Sequence, residues 1–462
     1  MAGWNSHQKL LIEKICCKLT IKSRVHKKTA FFLFTCSLTR IEIVFIVVYG
    51  LLLIFDKVNI LNSLQVYYNK HRIVIGGVLV KESVVIQQKK RTNLNISILK
   101  KDLVFTISFI LAAISCFIHI PKIEYINFHV LISLFNLMLA IKALEELKVL
   151  DKFAISILNK SKNSKSVSAI LILFCFFSSM LVTNDVALLT FVPLTILISK
   201  KTKINMIDTI ILQTIAANIG SSLTPMGNPQ NLFIYSFYGL KPLPFFMSVS
   251  FMAVLGIGTL YFLFQRLEPK EIKIDLYPVT VGNQKKAFVW GIVLVIIIAS
   301  IFGVISYPIA LFITLGTACI VNATLLIKID YLLLITFVCF FIFIGNISST
   351  TAVQTFASVS MKDPYSVYFS SIGLSQLISN VPASILLAQF STDWKPLLLG
   401  VNVGGLGTII ASLASVISYK LFIQANPNES KNYLIKFSKL NFAFLAFLAI
   451  TQYLIFIILD IL

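Results

Sequence analysis

Four short polar segments interrupt long apolar stretches of this chain, and each of them contains an asparagine. They read Thr-Asn-Asp around Asn184, Asn-Ile-Gly from Asn218, Ser-Asn-Val around Asn380 and Asn-Val-Gly from Asn402. Amide oxygens and free backbone carbonyl groups coordinate cations such as Na⁺, whereas amide N–H groups and helix N-termini attract anions. If the fold brings these segments together, they form a site for a small ion. Asparagines of this kind can instead serve as hydrogen-bonded links between helices.

The candidate residues extend from the asparagines into a stretch rich in glycine and proline that follows Asn218. Proline cannot continue a helix, because it lacks an N–H group and clashes with the preceding turn. Glycine lets the backbone approach an ion closely, since it has no Cβ atom. We expect Na⁺ to contact Asn184, Asn218, Asn380 and Asn402. The full candidate set for substrate and ion binding is Thr183, Asn184, Asp185, Asn218, Gly220, Ser221, Ser222, Thr224, Pro225, Asn228, Ser379, Asn380, Asn402, Gly404, Gly405 and Thr408.

Asp185 is the charged residue of this set. An ionised carboxylate inside a membrane is costly, so intramembrane carboxylates commonly mark the paths of ions or protons. Asp185 can bind Na⁺ directly, or it can exchange a proton for a cation. Its place just after a turn also suits the N-cap of a helix. The two roles are compatible.

The composition places these residues in a membrane protein. Of the 462 residues, 57% are hydrophobic and only 13% are charged, and the mean hydropathy is +0.88. Soluble domains have roughly twice that charged fraction. Many apolar stretches approach or exceed the roughly 20 residues that a helix needs to cross a bilayer. We therefore predict an all-α polytopic membrane protein whose macromolecular surroundings are the lipid bilayer.

The net charge of +21 does not indicate a nucleic-acid partner, because the basic residues are distributed unevenly between the two sides of the membrane. If Lys101 lies in the cytoplasm, the strongly basic loops all fall on the cytoplasmic side, among them the predicted loop with Lys148, Lys152, Lys160, Lys162 and Lys165. The opposite side receives Lys122, Lys241, Lys362 and Lys395. This is the positive-inside pattern of membrane proteins.

Two apolar stretches have lengths that fit neither one crossing nor two. Residues 167–199 would form a helix of about 50 Å, too long for one crossing, yet two crossings need about 40 residues and a turn. Basic residues at both ends place both ends in the cytoplasm. A re-entrant hairpin with its tip at Thr183-Asn184-Asp185 satisfies these constraints. Residues 366–391 repeat the pattern, with a tip at Ser379-Asn380-Val381.

Two further stretches, 204–238 and 396–419, are predicted to be discontinuous transmembrane helices, because small residues and proline interrupt both. The order of hairpin and broken helix occurs twice, with related short motifs, which indicates an internal duplication. The predicted topology has the first hairpin entering from the cytoplasm and the second from outside. The chain is therefore an inverted repeat with two re-entrant hairpins, an arrangement typical of transporters.

This pattern divides the chain into four parts. Residues 1–99 form a basic N-terminal extension with one apolar segment, which is either an accessory span or interfacial. Residues 100–265 form the first repeat and residues 266–286 a cytoplasmic linker. Residues 287–462 form the second repeat with a last span from Phe442 to Leu459.

The motifs at the hairpins and helix breaks resemble the ion transporter superfamily, which includes divalent anion:sodium symporters, citrate transporters and arsenite permeases. The resemblance covers residues 100–460 and implies an inverted-repeat scaffold, a homodimer and an elevator-like movement of the hairpin-bearing domain. Dicarboxylate symporters have Ser-Asn-Thr at both tips, and the tips of this chain look more like those of the arsenite-permease and citrate-transporter-like branches. The motifs are TNDVALLTFVPLTIL (Thr183–Leu197), NIGSSLTPMGNPQN (Asn218–Asn231), SNVPASILL (Ser379–Leu387) and NVGGLGT (Asn402–Thr408).

We therefore expect a secondary active transporter in the plasma or inner membrane of the cell. It would move a small anion, either a carboxylate such as citrate or an oxyanion, coupled to Na⁺ or H⁺ by alternating access, and it would need no other cofactor. The alternative is a cation/proton antiporter of the same superfamily. A channel requires a continuous pore, and an enzyme requires a nucleophile–base pair or a metal-ligand cluster, so both are less favoured.

Overall fold

The computed structural model describes residues 103–272 and 279–461, which form 17 α-helices and no β-strand. Judged by length and composition, six of these helices can cross a membrane, and a seventh span results if one sharply bent pair is counted as a unit. The prediction of an all-α polytopic membrane protein is therefore confirmed. The predictions for residues 1–99 lie outside the described residues.

The first half of the described chain contains eight helices, and several of their ends follow directly from local sequence. Asn127 and Asn163 cap α2 and α4 by accepting backbone N–H groups, and proline begins α7 and α8. The helices are α1 (Leu103–Ile118), α2 (Phe128–Glu146), α3 (Val149–Leu158), α4 (Ser164–Val182), α5 (Asn184–Thr202), α6 (Ile207–Ser222), α7 (Pro229–Phe237) and α8 (Pro242–Gln265).

The second half contains nine helices with similar start signals. Asn283, Asp330 and Asp363 cap three of them, and proline follows Asp363 at the first helical position. The helices are α9 (Gln284–Ile301), α10 (Tyr307–Asn322), α11 (Tyr331–Ile347), α12 (Thr351–Ser360), α13 (Pro364–Ile378), α14 (Asn380–Ala388), α15 (Trp394–Gly404), α16 (Leu413–Ala425) and α17 (Ser430–Ile461).

Helices α4 and α5 form a helical hairpin. The rings of Phe174 and Phe191, on opposite sides of Thr183, stack with their centroids 5.4 Å apart, so the chain reverses at Thr183. Gln213 of α6 contacts both arms, because it donates to Cys175 Sγ and accepts from Thr195 Oγ1. Helices α13 and α14 pack together in the same manner around Ser379. The entry of the two hairpins from opposite membrane sides stays a prediction.

The buried apolar side chains form two clusters. One unites the first hairpin with α6, α13, α16 and α17, and it includes Phe191, Ile211 and Phe437. The other unites α2, α7, α9, α11 and α14, and it includes Phe233 and Trp290. The two hairpins and the two broken helices lie where these clusters meet.

Three elements differ from the sequence prediction. Helix α3 lies within a predicted basic loop, and α12 follows α11 after a bend of 90°. Helix α17 begins at Ser430, twelve residues before the predicted last span. Its first turns contain lysines, which made the segment look like a loop, yet Tyr433 and Phe437 lie one turn apart and are fully buried. Lys436 on the other face pairs with Asp208 at 3.0 Å.

Candidate functional site

The two hairpin tips have nearly the same backbone conformation. Thr183 has φ 72° and ψ 151°, and Ser379 has φ 75° and ψ 152°. Residues with a Cβ atom rarely adopt this region, and it costs on the order of 1–3 kcal/mol. Neither side chain caps the helix that follows it. The N-terminus of α14 therefore keeps its partial positive charge without a side-chain cap, whereas the first two N–H groups of α5 are bonded to the carbonyl of Gly227 and to Oδ1 of Asn184.

Asn184 connects the first hairpin tip to the first broken helix. Its Nδ2 donates to Oδ1 of Asn218 at 3.1 Å, and its backbone N–H donates to the carbonyl of Gly227 at 3.0 Å. Its own Oδ1 accepts the backbone N–H of Asp185 at 3.0 Å. Asn184 and Asn218 are 4% and 6% exposed. The tip and the break are thus held together as one buried polar cluster.

The second asparagine pair of the candidate set joins the same network. Asn402 Oδ1 accepts from Asn228 Nδ2, which also donates to the hydroxyl of Ser221, and Ser221 donates to the carbonyl of Asn218. Asn380 is 4% exposed, and its Nδ2 lies 2.7 Å from the position that a Cβ atom of Gly405 would occupy. The four asparagines predicted to converge are therefore all buried in one region of the structure.

The carbonyl groups released by the two helix breaks are satisfied by side-chain amides. Asn231 Nδ2 donates to Ser221, Ser222 and Thr224 carbonyls at 3.1 to 3.3 Å. In the second half, Gln376 Nε2 donates to Gly404 at 2.7 Å. Buried carbonyl groups need such partners at membrane depth. These carbonyl groups at the two breaks therefore have hydrogen-bond partners within the protein.

Gly220 and Gly404 were predicted to let the backbone approach an ion, and the structure places both against hairpin arms. A Cβ atom at Gly220 would collide with the carbonyl of Phe176 and lie 2.5 Å from Ser179 Oγ. A Cβ atom at Gly404 would lie 2.8 Å from Ser375 Oγ. These glycines therefore permit close packing between a broken helix and its hairpin.

The other candidate residues have local roles in the breaks. The hydroxyl of Ser222 donates to the backbone carbonyl of Ile219 in its own helix. Pro225 is buried in the turn. Thr224 Oγ1 donates to the carbonyl of Met180, and Thr408 Oγ1 donates to that of Gln376. Both threonines thus anchor a break to a hairpin arm.

Two polar atoms at the first tip have no hydrogen-bond partner although they are buried. They are Oδ1 of Asp185 and Nδ2 of Asn218. Oδ1 of Asn218 already accepts from Asn184 and Ser412, which fixes the orientation of the amide and leaves its N–H group free. An unsatisfied buried polar group costs about 1–3 kcal/mol. One acceptor and one donor therefore remain for a ligand.

A cavity of about 290 Å³ lies beside the first hairpin. Glu145 at the end of α2 and Asp151 of α3 line one wall. The other wall is lined by Leu189, Thr190, Pro193, Leu194 and Leu197 of α5. Because α5 begins next to Asp185, the cavity follows the helix that starts at the tip. Asp151 adds negative charge to the cavity, whereas the carboxylate of Glu145 is paired with Lys142 at 3.1 Å.

Three residues of the network were missing from the candidate set, namely Asn231, Gln376 and Ser412. The spacing offers a signal for one of them. Ser412 follows Asn402 by ten positions, as Asn228 follows Asn218, and both are N-cap residues of a half-helix. Gln376 lies on a hairpin arm and has no such counterpart, so only its contacts identify it.

The sequence pattern of the citrate transporter family matches residues 92–403 of the chain. An uncharacterized transporter of Methanocaldococcus jannaschii is 35% identical over 301 residues, which cover 64% of this chain and 81% of that protein. The inner membrane protein YbiR of Escherichia coli K12 is 31% identical over 64% of this chain and 80% of that protein. A Dictyostelium discoideum protein named as a transporter, arsB, is 30% identical over 29% of this chain and 23% of that protein.

Proposed function

Since the chain belongs to the citrate transporter family and is thus a membrane transporter, we propose that it is a secondary active transporter. It moves a small anion, a carboxylate such as citrate or an oxyanion, together with Na⁺ or H⁺ by alternating access. We further propose that it works as a homodimer in the plasma or inner membrane. No step requires a cofactor other than the coupling ion.

One observation carries this proposal, the pair of unsatisfied buried atoms at the first hairpin tip. The free carboxylate oxygen of Asp185 suits a cation or a proton. The free N–H group of Asn218 suits an oxygen of the transported anion. The N-terminus of α14, which has no side-chain cap, adds partial positive charge for the same anion. The site therefore has complementary places for a cation and an anion.

The negative charge of Asp185 makes anion binding depend on cation binding. Two like charges 4 Å apart repel by about 4 kcal/mol at an effective dielectric constant of 20. That repulsion corresponds to about a thousandfold loss of affinity. A bound Na⁺ or a proton removes it. Such a dependence is the thermodynamic coupling that a symporter needs.

The test is uptake by proteoliposomes that contain the full-length protein. Radiolabelled citrate, arsenite and phosphate are offered in turn, each with an inward Na⁺ gradient, an inward proton gradient or neither. We expect one of these anions to accumulate only under a cation gradient, and Asp185→Asn to abolish that dependence. Asp393→Asn makes the same chemical change at an exposed position and should transport like the wild type. Accumulation that still follows the gradient in Asp185→Asn would refute the role of Asp185.

A cation/proton antiporter is the second candidate, because the free carboxylate of Asp185 can exchange a proton for Na⁺. Vesicles that contain only Na⁺ salts, with no organic anion or oxyanion, separate the two functions. An antiporter dissipates a pH gradient in these vesicles when Na⁺ is added. A proton-coupled symporter does so only when its anion is present, and a Na⁺-coupled symporter does not do so at all.

A further inference from the structure

An apolar groove runs along the outer surface of the helix pair α8 and α17, with a volume of about 580 Å³. Its walls are aliphatic and aromatic side chains, among them Val254, Phe262, Leu440 and Phe447. Val254 and Phe262 are 66% and 59% exposed, so the groove opens outward rather than into the helix bundle. Both helices are long and apolar enough to cross a membrane. The groove therefore faces the lipid.

One end of the groove carries a positive charge. Arg266, the residue after the last turn of α8, lines the groove, and its guanidinium carbon lies 4.8 Å from the centroid of the Phe262 ring. This contact holds the guanidinium group against a wall of the groove. No carboxylate of residues 103–272 and 279–461 forms an ion pair with Arg266. The guanidinium group can therefore bind a phosphate group, which it contacts through two parallel hydrogen bonds.

The first turns of α17 lie at the same end of the groove as Arg266. A series of three polar contacts leads from the end of α8 through α4 and α6 to α17, namely Lys165 to Gln265, Ser168 to Thr209 and Asp208 to Lys436. Lys439 follows on α17, where it is exposed and lies one helical turn before the groove residue Ala443. Within the described part of the chain, Lys439 has no ion-pair partner. Two basic residues thus flank this end of the groove.

The length and polarity of the groove fit one leaflet of a bilayer. Val254 lies twelve positions before Arg266 on α8, which corresponds to about 18 Å. Half of the hydrocarbon thickness of a bilayer is about 15 Å. Arg266 begins the linker that the positive-inside pattern assigns to the cytoplasm. Anionic phospholipids are concentrated in the cytoplasmic leaflet, and basic pockets between helices on that side bind their headgroups.

We infer that the groove binds one anionic phospholipid of the cytoplasmic leaflet, with its phosphate group at Arg266 and an acyl chain against Phe262, Ala443 and Phe447. A soluble anion would use the charge of Arg266 but not the apolar walls. A second copy of the chain would cover the walls, but it would bury the guanidinium group, which is costly without an anionic partner. This lipid site is separate from the hairpin tips and does not depend on which anion is transported.

The test is native mass spectrometry of the full-length protein in detergent, stripped of lipid and titrated with phosphatidylglycerol or with phosphatidylcholine of the same acyl chains. We expect one phosphatidylglycerol to bind more tightly than phosphatidylcholine. Arg266→Gln should weaken phosphatidylglycerol binding about fivefold, and Arg266→Lys should weaken it less. Lys395→Gln is the matched control, because Lys395 is also exposed and lies over an aromatic ring, that of Trp394, outside the groove.

Two further measurements test the apolar part of the site. Ala443→Trp fills the groove from α17 and should weaken the binding of both phospholipids. Glycerol 3-phosphate has a phosphate group but no acyl chain, so an excess of it should not displace phosphatidylglycerol.

Equal binding of the two phospholipids to the wild type would overturn the inference, as would unchanged phosphatidylglycerol binding in Arg266→Gln or in a folded Ala443→Trp. Displacement by glycerol 3-phosphate would identify a site for soluble anions instead. A changed number of subunits in Ala443→Trp would identify the groove as a subunit interface, which also contradicts the inference. If Ala443→Trp does not elute as a monodisperse peak, the variants of the exposed Arg266 still decide.

Discussion

Asn228 donates its side-chain N–H group to Oδ1 of Asn402 at 3.2 Å, from a position 174 residues earlier in the chain. The reverse connection also exists, because Ser412, ten positions after Asn402, donates to Oδ1 of Asn218 at 3.1 Å. In each broken helix, the N-cap residue of the second segment thus donates a hydrogen bond to the asparagine of the other broken helix. The candidate site is assembled from both halves, and neither half can form it alone.

Removal of the amide of Asn402 should destabilise the protein. Asn402→Ala leaves the buried amides of Asn228 and Asn231 each without one partner, at about 1–3 kcal/mol for each unsatisfied group. We expect a lower midpoint of thermal unfolding for the purified protein in detergent. Asn432→Ala, at an exposed position of α17, should leave the midpoint unchanged. Equal midpoints for the two variants would contradict the network.

Gly220→Ala should disrupt the contact between α6 and the first hairpin. The added methyl group would collide with the backbone carbonyl of Phe176, which cannot move without shifting α4. We expect poor folding yield or loss of uptake, as for other overpacked sites that cost about 1–3 kcal/mol or more. Gly258→Ala is the control, because nothing lies within 4 Å of its added Cβ atom. Normal yield and uptake by Gly220→Ala would refute the close approach.

The exposed face of α5 should change its accessibility during transport. The side chain of Leu189 is 50% exposed and lines the cavity next to Glu145, whereas Leu188 is fully buried. With Cys16, Cys17, Cys36 and Cys319 replaced, Leu189→Cys should react with a membrane-impermeant thiol reagent from the cytoplasmic side. Na⁺ together with the anion selected by the uptake assay should alter that rate, because alternating access requires the hairpin to move. A rate that is insensitive to both ligands would argue against alternating access, and Leu188→Cys provides the unreactive control.

The first turn of α13, where the second hairpin begins, should become less stable in acid. The hydroxyl and backbone N–H groups of Ser366 bond to the carboxylate of Asp363 and lower its pKa from the ordinary value of 3.8. A lowered pKa in the folded state contributes stability above the ordinary value, and this contribution is lost as the pH falls through the lowered value. We expect faster amide hydrogen exchange, corrected for intrinsic rates, at Ser366 and Val367 below about pH 4.

Asp363→Asn is the control for this pH effect. An asparagine still caps the helix but does not titrate in this range. Its corrected exchange rates at Ser366 and Val367 should therefore not change between pH 5 and pH 3. The same acid-induced change in the wild type and in Asp363→Asn would show that another group is responsible.

The local features of the chain could be predicted from the sequence alone. Composition and the lengths of apolar stretches determine the membrane class, because a helix must satisfy its own backbone in lipid. The tips at Asn184 and Asn380 and both helix breaks follow from polar residues, glycine and proline within apolar stretches. These signals act over a few residues, so one sequence suffices to read them.

Contacts between distant segments were decided only by the tertiary structure. Lys431 and Lys436 concealed the buried face of α17 that contains Tyr433 and Phe437, since burial depends on what packs against a helix. The packing role of Gly220 and the partners of Asn402 depend on segments far apart in the chain. Gln376 shows this most clearly, because an amide on a helix has no special meaning until its acceptors are known. Hydrogen bonding is directional and short in range, so the fold alone determines which of these polar groups remains free for an ion.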